Sequence, residues 1–461
     1  MDSKVLADIF DYVRDRRIPI HSLTIVRNGY IVLDAYFWPF QDGQLHDLAS
    51  VTKSVTSTLV GIAIGKHKLA GIGEPLSSVF TERKIANLDD RKKRVTIEHL
   101  LTMTSGLDCH ADRGEITLSE MMGSKDWIQF MLDLPMRDEP GSRFEYCSGG
   151  MHLLSGAITK ATGETALAFA RRELFDPLGI TDVAWPADQG VSHGWGDLHL
   201  QPRDMAKLGY LWLNNGRWEN KQLVPVDWMR GAIRVQSNPG RNSGQQYGYG
   251  FWIYPDRRPP EFEGLGRGGQ RISVVPGKNA LVVFTGGEFE PGDIGAFIGR
   301  AVKSDQPLPE DAAAQTRLTA VVRDAAKPPR PPQSAPPLAR TLSGRRYTLA
   351  ANPLGLKSFV LTFSGGAVAQ LQLELRDRSD GPRPVGLDGV PRVSSGGRFG
   401  LPVALSGAWE SDTTFVLEYN EIGNINAYRF RMMFSGHDVE VDMAERSRVI
   451  RNTRCRGTSS K

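Results

Sequence analysis

Cysteine is scarce in this chain, with three residues in 461, at Cys109, Cys147 and Cys455. They are scattered, odd in number and without metal-site spacing, which predicts free thiols in a reducing compartment. Histidine is thin as well: nine copies and no His-Glu-x-x-His arrangement, so neither a catalytic metal nor a cofactor is expected. An excess of one charge sign is also missing. The 56 basic and 52 acidic residues leave a net charge of +4, too balanced to point to nucleic acid or an anionic membrane surface. No apolar stretch is long enough to cross a bilayer, and residues 1–10 reach their charges before any apolar signal core. The expected address is the cytoplasm, although a signal peptide already clipped away would leave no trace.

What is present suggests two domains, the natural expectation for this length. Hydrophobic residues make up 40% and charged residues 23%, ordinary for a globular protein. Leu6, Ile9, Phe10 and Val13 recur at helical spacing. Residues 23–26 and 30–33 flank Arg27-Asn28-Gly29, the signal of a hairpin. A short helix is expected to be capped near Thr96 and stopped around Gly106. Residues 106–244 read mainly as helices and loops, with helices over 151–161, 166–174 and 202–214. Strand character returns over 247–253, 272–275 and 280–285, followed by a helix over 294–302. That order predicts an α+β body over residues 1–305, an antiparallel sheet flanked by helices with an inserted helical subdomain. Residues 306–341 are rich in proline, dense enough around Lys327-Pro328-Pro329-Arg330-Pro331-Pro332 for a stiff extended linker. Residues 342–461 alternate apolar and polar positions, as over 359–363 and 414–419, and predict a small all-β barrel-like domain. It shows no catalytic cluster, and packing or substrate shaping is its expected role.

The clearest chemistry lies in Asp47-Leu48-Ala49-Ser50-Val51-Thr52-Lys53-Ser54, which runs into an apolar stretch over 55–64. Ser50 and Lys53 stand three apart, on one face at the start of a helix. Unpaired N–H groups and the positive end of the helix dipole favour negative charge there. A serine so placed becomes a nucleophile when a base takes its proton, and the field stabilises the oxyanion that forms. A lysine kept indoors on an apolar helix can take or relay that proton; the duller reading is a surface lysine on an exposed first turn. Gly61 and Gly65 leave room for close packing. Two loops add to this. In Pro140-Gly141-Ser142-Arg143-Phe144-Glu145-Tyr146-Cys147-Ser148-Gly149-Gly150, Tyr146 either projects its hydroxyl into a cleft as a base or packs in the core. Gly264-Leu265-Gly266-Arg267-Gly268-Gly269-Gln270-Arg271 either offers bare backbone N–H groups to a carbonyl oxygen or is a flexible turn.

Taken together, Ser50-Val51-Thr52-Lys53, Leu100-Leu101-Thr102-Met103-Thr104-Ser105-Gly106-Leu107, the loop through Tyr146-Cys147-Ser148, and Gly266-Arg267-Gly268-Gly269-Gln270 resemble the serine β-lactamase-related hydrolases. The order and spacing match over roughly residues 20–300, far more specific than any one motif. That superfamily holds class C β-lactamases, penicillin-binding-protein-like peptidases, family VIII carboxylesterases and 6-aminohexanoate-dimer hydrolases. The resemblance implies a site between an α/β body and a helical subdomain. It implies Ser50 as the acylated nucleophile, Lys53 as its proton partner and Tyr146 as general base and acid. The N–H groups of Ser50 and Arg267 would form the oxyanion hole, with Ser148, Gly266, Gly268, Gly269 and Gln270 along the substrate cleft. Two departures stand out. Ser148 replaces the usual Asn of β-lactamases, and the Lys-Thr-Gly strand motif, whose lysine helps hold a β-lactam carboxylate, gives way to the Gly-rich segment. That segment looks closest to the nylon-oligomer-hydrolase and esterase branch. The implied function is a serine hydrolase cleaving a small amide or ester through an acyl-enzyme. The alternatives are β-lactamase or D-amino-acid peptidase activity at the same site, and a non-catalytic binding relative. The implied partner is a small-molecule substrate alone, and oligomeric state stays open.

Rival motifs are weaker. Gly190-Val191-Ser192-His193-Gly194 matches a nucleophile elbow, but Trp185-Pro186-Ala187-Asp188-Gln189 is not the buried strand such an elbow requires. Cys147 as a nucleophile lacks a paired histidine. Trp195, Tyr249 and parts of the C-terminal domain are candidates for the cleft walls.

Overall fold

The computed structural model describes residues 1–110, 115–241, 244–327, 336–446, 450 and 452–459. Its first half is organised by a seven-stranded antiparallel sheet. In chain order the strands are β1 (Ile20–Arg27), β2 (Tyr30–Tyr36), β3 (Gln246–Tyr247), β4 (Trp252–Tyr254), β5 (Glu261–Leu265), β6 (Arg271–Val275) and β7 (Ala280–Gly286). They lie in the order β2-β1-β7-β6-β5-β4-β3, so the two ends of the segment meet where β1 pairs with β7. The hairpin at Asn28-Gly29 forms as expected, both residues at positive φ.

Strand periodicity explains the layers. On β7, Val282 and Phe284 face a cluster with Leu6, Ile9, Phe10, Ile294 and Ile298. Leu281 and Val283 face the main core instead. One face is thus covered by the helices Ser3–Arg16, Gly292–Ala301 and Ala312–Ala325, the other by the inserted helical region. The first of these is started by Asp2, whose carboxylate accepts the N–H groups of Lys4 (2.9 Å) and Val5 (3.3 Å), a good N-cap.

The α+β architecture and the C-terminal barrel follow the sequence reading, and several details differ. The stretch read as an extended linker carries the helix Ala312–Ala325, and Arg317 ties it to Asp8 (2.7 Å) and Asp11 (2.6 Å) of the first helix. The densest proline run, 328–335, lies outside the described residues. The single strand expected over 247–253 is two short ones, because Gly248 and Gly250 turn the chain between them. β5 lies in a stretch with no clear alternation and was not expected. The expectation of three free thiols is also overturned: Cys109 and Cys147 form a disulfide, and Cys455 is the free, buried cysteine. Cysteine usage therefore no longer argues for a reducing compartment. No helix among the described residues is long and apolar enough to cross a membrane.

The second body is a run of ten strands from Arg346–Leu349 to Thr453–Ser459. Nine close into a barrel where Gly386 pairs with Ser406, and the short strand Arg392–Ser394 lies outside the closure. Its core is its own, built around Tyr347, Phe359, Leu371, Phe415, Leu417 and Met443. Closure removes the exposed edges that an open sheet of this size would carry.

Candidate active site

Ser50 lies in a one-turn 3-10 segment, Ala49–Val51, directly before the helix Thr52–Gly65. The turn is sharp because Ala49 takes a left-handed φ of 46°, an uncommon state for a residue with a Cβ. The surroundings hold it there. The buried Asp47 carboxylate accepts the Ala49 N–H at 2.7 Å, and Leu48 N–H donates to the Leu198 carbonyl at 2.8 Å. Burial raises the Asp47 carboxyl above the usual carboxylate range, although His199 and Arg267 pull it back down. Behind the turn, the helix is buried on all sides from Thr52 to Ala63. Ser54 donates to the Gly250 carbonyl (2.6 Å) and Thr56 to the Gly194 carbonyl (2.8 Å). Gly61 packs against the Trp228 ring and Gly65 against Pro225, where a Cβ would collide. The mount is rigid.

Lys53 points into the site from the first turn. Its Nζ lies 2.7 Å from Ser50 Oγ and 3.0 Å from the Trp195 carbonyl oxygen. The residue is 1% exposed, and no acidic side chain pairs with it among the described residues. A buried ammonium held only by neutral groups is costly, so the fold maintains this arrangement against its own stability.

Tyr146 reaches the same place from the loop before the helix Ser148–Thr162. The block at residues 100–107 acts as its backing. Met103 carbonyl accepts the Glu145 N–H (2.7 Å), Thr104 carbonyl accepts the Gly141 N–H (2.8 Å), and the Cys109–Cys147 disulfide joins the two loops. The Tyr146 ring stacks on Trp252 with centroids 6.2 Å apart, and Lys53 Nζ lies 4.8 Å from its centre. The phenol makes no hydrogen bond to a described residue. Ser50 and Tyr146 both line one cleft of about 620 Å³, with Glu115, Arg241, Trp252, Phe289 and residues 266–269 among its walls.

The Gly-rich loop needs its glycines for space. An added Cβ at Gly266 would stand 2.5 Å from the Leu48 carbonyl oxygen and 3.0 Å from Ala49 Cβ, so this backbone lies directly on the Ser50 turn. Gly268 and Gly269 hold φ of 83° and 94°, values that glycine adopts freely. Gln270 is fully buried and fastens the loop from beneath. Its amide donates to the carbonyls of Arg267 (3.0 Å) and Gly286 (2.7 Å) and accepts the Gly286 N–H (3.0 Å).

The fold thus brings Ser50, Lys53, Tyr146, Gly266, Arg267, Gly268 and Gly269 together. It sets two expected cleft residues back from the surface. Gln270 is occupied within the loop, and Ser148 is buried in the first helical turn, its N–H donating to Glu115 at 3.2 Å. Tyr249 also stands elsewhere, donating to Glu98 at 2.7 Å, while Trp195 contributes its carbonyl. Glu115, Arg241, Trp252 and Phe289 were not singled out from sequence. Of these only Trp252 left a trace, in the aromatic density of residues 247–252. The Ser192 elbow is excluded by geometry: Ser192 ends a two-residue strand, is fully buried, and its hydroxyl accepts the Leu167 N–H at 3.2 Å.

The Beta-lactamase family model matches residues 6–323, well over half of the chain. The chain belongs to the Beta-lactamase family. Esterase EstB of Burkholderia gladioli is 30% identical over 158 residues, 32% of this chain and 40% of that protein. The 6-aminohexanoate-dimer hydrolase of Paenarthrobacter ureafaciens is 22% identical over 282 residues, covering 57% of this chain and 71% of that enzyme. The match to EstB thus spans about two fifths of that relative. In shape, the octameric penicillin-binding protein homologue from Pyrococcus abyssi aligns over 99% of this chain and 100% of its own, with a TM-score of 0.53 at 17% identity. The likeness in fold to that structure therefore takes in the barrel as well.

Proposed function

We propose that this member of the family is a serine hydrolase that cleaves a small ester or amide through an acyl-enzyme on Ser50. The observation that carries the reading is the 2.7 Å contact between Ser50 Oγ and a buried lysine with no carboxylate partner among the described residues. The Tyr146 phenolate, with Lys53 against its ring, takes the proton from Ser50 as Oγ attacks the carbonyl carbon, and the resulting phenol returns it to the departing alcohol or amine. Water then attacks the acyl group, Tyr146 accepting its proton, and Ser50 is regenerated. The Ser50 and Arg267 N–H groups serve the oxyanion. The named activities of EstB and of the 6-aminohexanoate-dimer hydrolase support ester or amide chemistry. The Lys-Thr-Gly motif whose lysine helps hold a β-lactam carboxylate is replaced by the Gly-rich segment Gly266 to Gln270, which disfavours β-lactams as the preferred substrate.

The test is intact-mass spectrometry after treatment with a fluorophosphonate, with turnover of p-nitrophenyl esters, nitrocefin, D-amino-acid amides and aminohexanoate oligomers measured in parallel. One adduct on Ser50, and no turnover by Ser50→Ala, is the expected result. Labelling elsewhere, or undiminished turnover in Ser50→Ala, refutes the reading.

A further inference from the structure

The barrel reaches the Ser50 turn and the Gly-rich loop with a tight turn, residues 421–426, between the strands Thr414–Glu421 and Ala427–Ser435. A hairpin tip is ordinarily exposed, yet here Ile422 and Ile425 are 0% exposed and Asn424 is 3% exposed. The tip is inserted into the first body and meets both walls of the cleft. On one side, the Gly423 carbonyl accepts the Asp47 N–H at 2.6 Å, in the residue whose carboxylate shapes the Ser50 turn. Gly423 itself has a φ of 83° and sits against the Leu45 carbonyl, where a Cβ would collide. On the other side, Ile425 Cγ2 lies 2.5 Å from where a Cβ on Gly268 would stand, so its methyl bears directly on the loop that carries Arg267. The tip is stiff. Asn424 Oδ1 accepts the Ile425 N–H (2.8 Å), Asn424 Nδ2 donates to Glu421 (3.1 Å), and Glu421 N–H donates to Asn426 carbonyl (3.1 Å). Ile422 anchors it against Phe40 and Ala404.

We propose that this tip makes the barrel a positioning element for the reaction, with Ile425 pressing the 266–269 loop against the Ser50 turn so that the two oxyanion N–H donors keep their spacing. The proposal rests on the acyl-enzyme reading above. Apart from Arg267, residues 266–269 have no side chain, so much of their position is set by what bears on them: Gln270 below, the Glu288 N–H on the Gly268 carbonyl (2.9 Å), the Phe289 ring against Gly269, and Ile425 against Gly268. Ile425 is a contact that comes from another body. Small displacements of oriented groups cost much in rate, up to about 100-fold for roughly 1 Å. Loss of this contact therefore acts on the chemical step rather than on substrate affinity.

The experiment uses the full chain carrying Ile425→Ala, Ile425→Val or Asn424→Ala. In each, kcat and KM for a p-nitrophenyl ester, the rate of fluorophosphonate labelling at Ser50 and the melting temperature are measured. In Ile425→Ala, kcat and labelling rate are expected to fall about tenfold with KM within about twofold. Ile425→Val, which keeps a branched methyl against Gly268, restores most of the rate, and Asn424→Ala, which removes the side-chain hydrogen bonds that stiffen the tip, lowers it as Ile425→Ala does. Wild-type kcat and labelling rate in both alanine variants would overturn the positioning role. If Ile425→Ala does not fold, Asn424→Ala decides alone: unchanged rates overturn the proposal and a selective fall in kcat supports it. An unlabelled Ser50 in the wild-type chain would defeat the acyl-enzyme reading and the positioning role with it, whereas a labelled wild type with equally labelled variants defeats only the latter.

Discussion

Lys53 Nζ stands 2.7 Å from Ser50 Oγ with the rest of its side chain sealed in the helical core, and its second polar contact is the Trp195 carbonyl. A neutral pair of partners leaves the amine available for proton traffic. Lys53→Ala is therefore expected to lose roughly 100- to 10,000-fold in kcat/KM while remaining folded. Far-UV circular dichroism and ester turnover on the same sample check this. A folded variant with more than a tenth of the wild-type rate would remove Lys53 from the mechanism.

Tyr146→Phe separates the hydroxyl from the ring. The stacking on Trp252 and the approach of Lys53 to the ring face remain, so the melting temperature should change little. The rate should fall by about 100-fold or more, because the proposed proton acceptor is gone. A stable variant with near-normal kcat would assign the base elsewhere.

The Cys109–Cys147 disulfide closes a loop with a sequence separation of 38 residues and ends one residue past Tyr146. Reduction, or Cys109→Ser, is expected to lower stability by about 2–4 kcal/mol and to reduce kcat by loosening the tyrosine loop. Thiol counting before and after reduction of the denatured chain gives the number of bridges. Three reactive thiols without reductant would contradict the pairing.

Acid should weaken the fold before it reaches the carboxylates. Burial lowers the His152 imidazole to about 3 and the His46 imidazole to about 4, against an ordinary value of 6.5. Above that ordinary value, native and unfolded chains both hold these rings neutral. As the pH falls below it, the unfolded chain binds protons that the native chain refuses, so stability declines until the folded values are reached. Each ring contributes on the order of 1–3 kcal/mol to the loss. Urea midpoints between pH 7.5 and 4.5 should drop, and His152→Gln should flatten part of the slope. An unchanged slope in that variant would locate the acid sensitivity in other groups.

Legibility from sequence tracked the range of the interaction. The unbroken apolar run Leu281, Val282, Val283 and Phe284 announces a strand buried on both faces, since neighbouring side chains point to opposite sides of a sheet. Ser50 and Lys53 were readable for a similar reason: three residues on a helix bring two side chains to one face. The strand Glu261–Leu265 was hidden because Gly264 and its neighbours are chosen for clearance against the Ser50 turn rather than for strand preference. Gln270 sat in a motif that reads as cleft, and only its three hydrogen bonds reveal a fastening role.

By itself the sequence determined the local periods, the two bodies and the hydroxyl–amine pair, because each depends on geometry that repeats within a few residues. Only the tertiary structure decided that Tyr146 meets Lys53, that Cys109 meets Cys147, and that a barrel turn bears on Gly268. Those meetings join segments whose spacing carries no period, and they arise when separate elements bury their faces against one another.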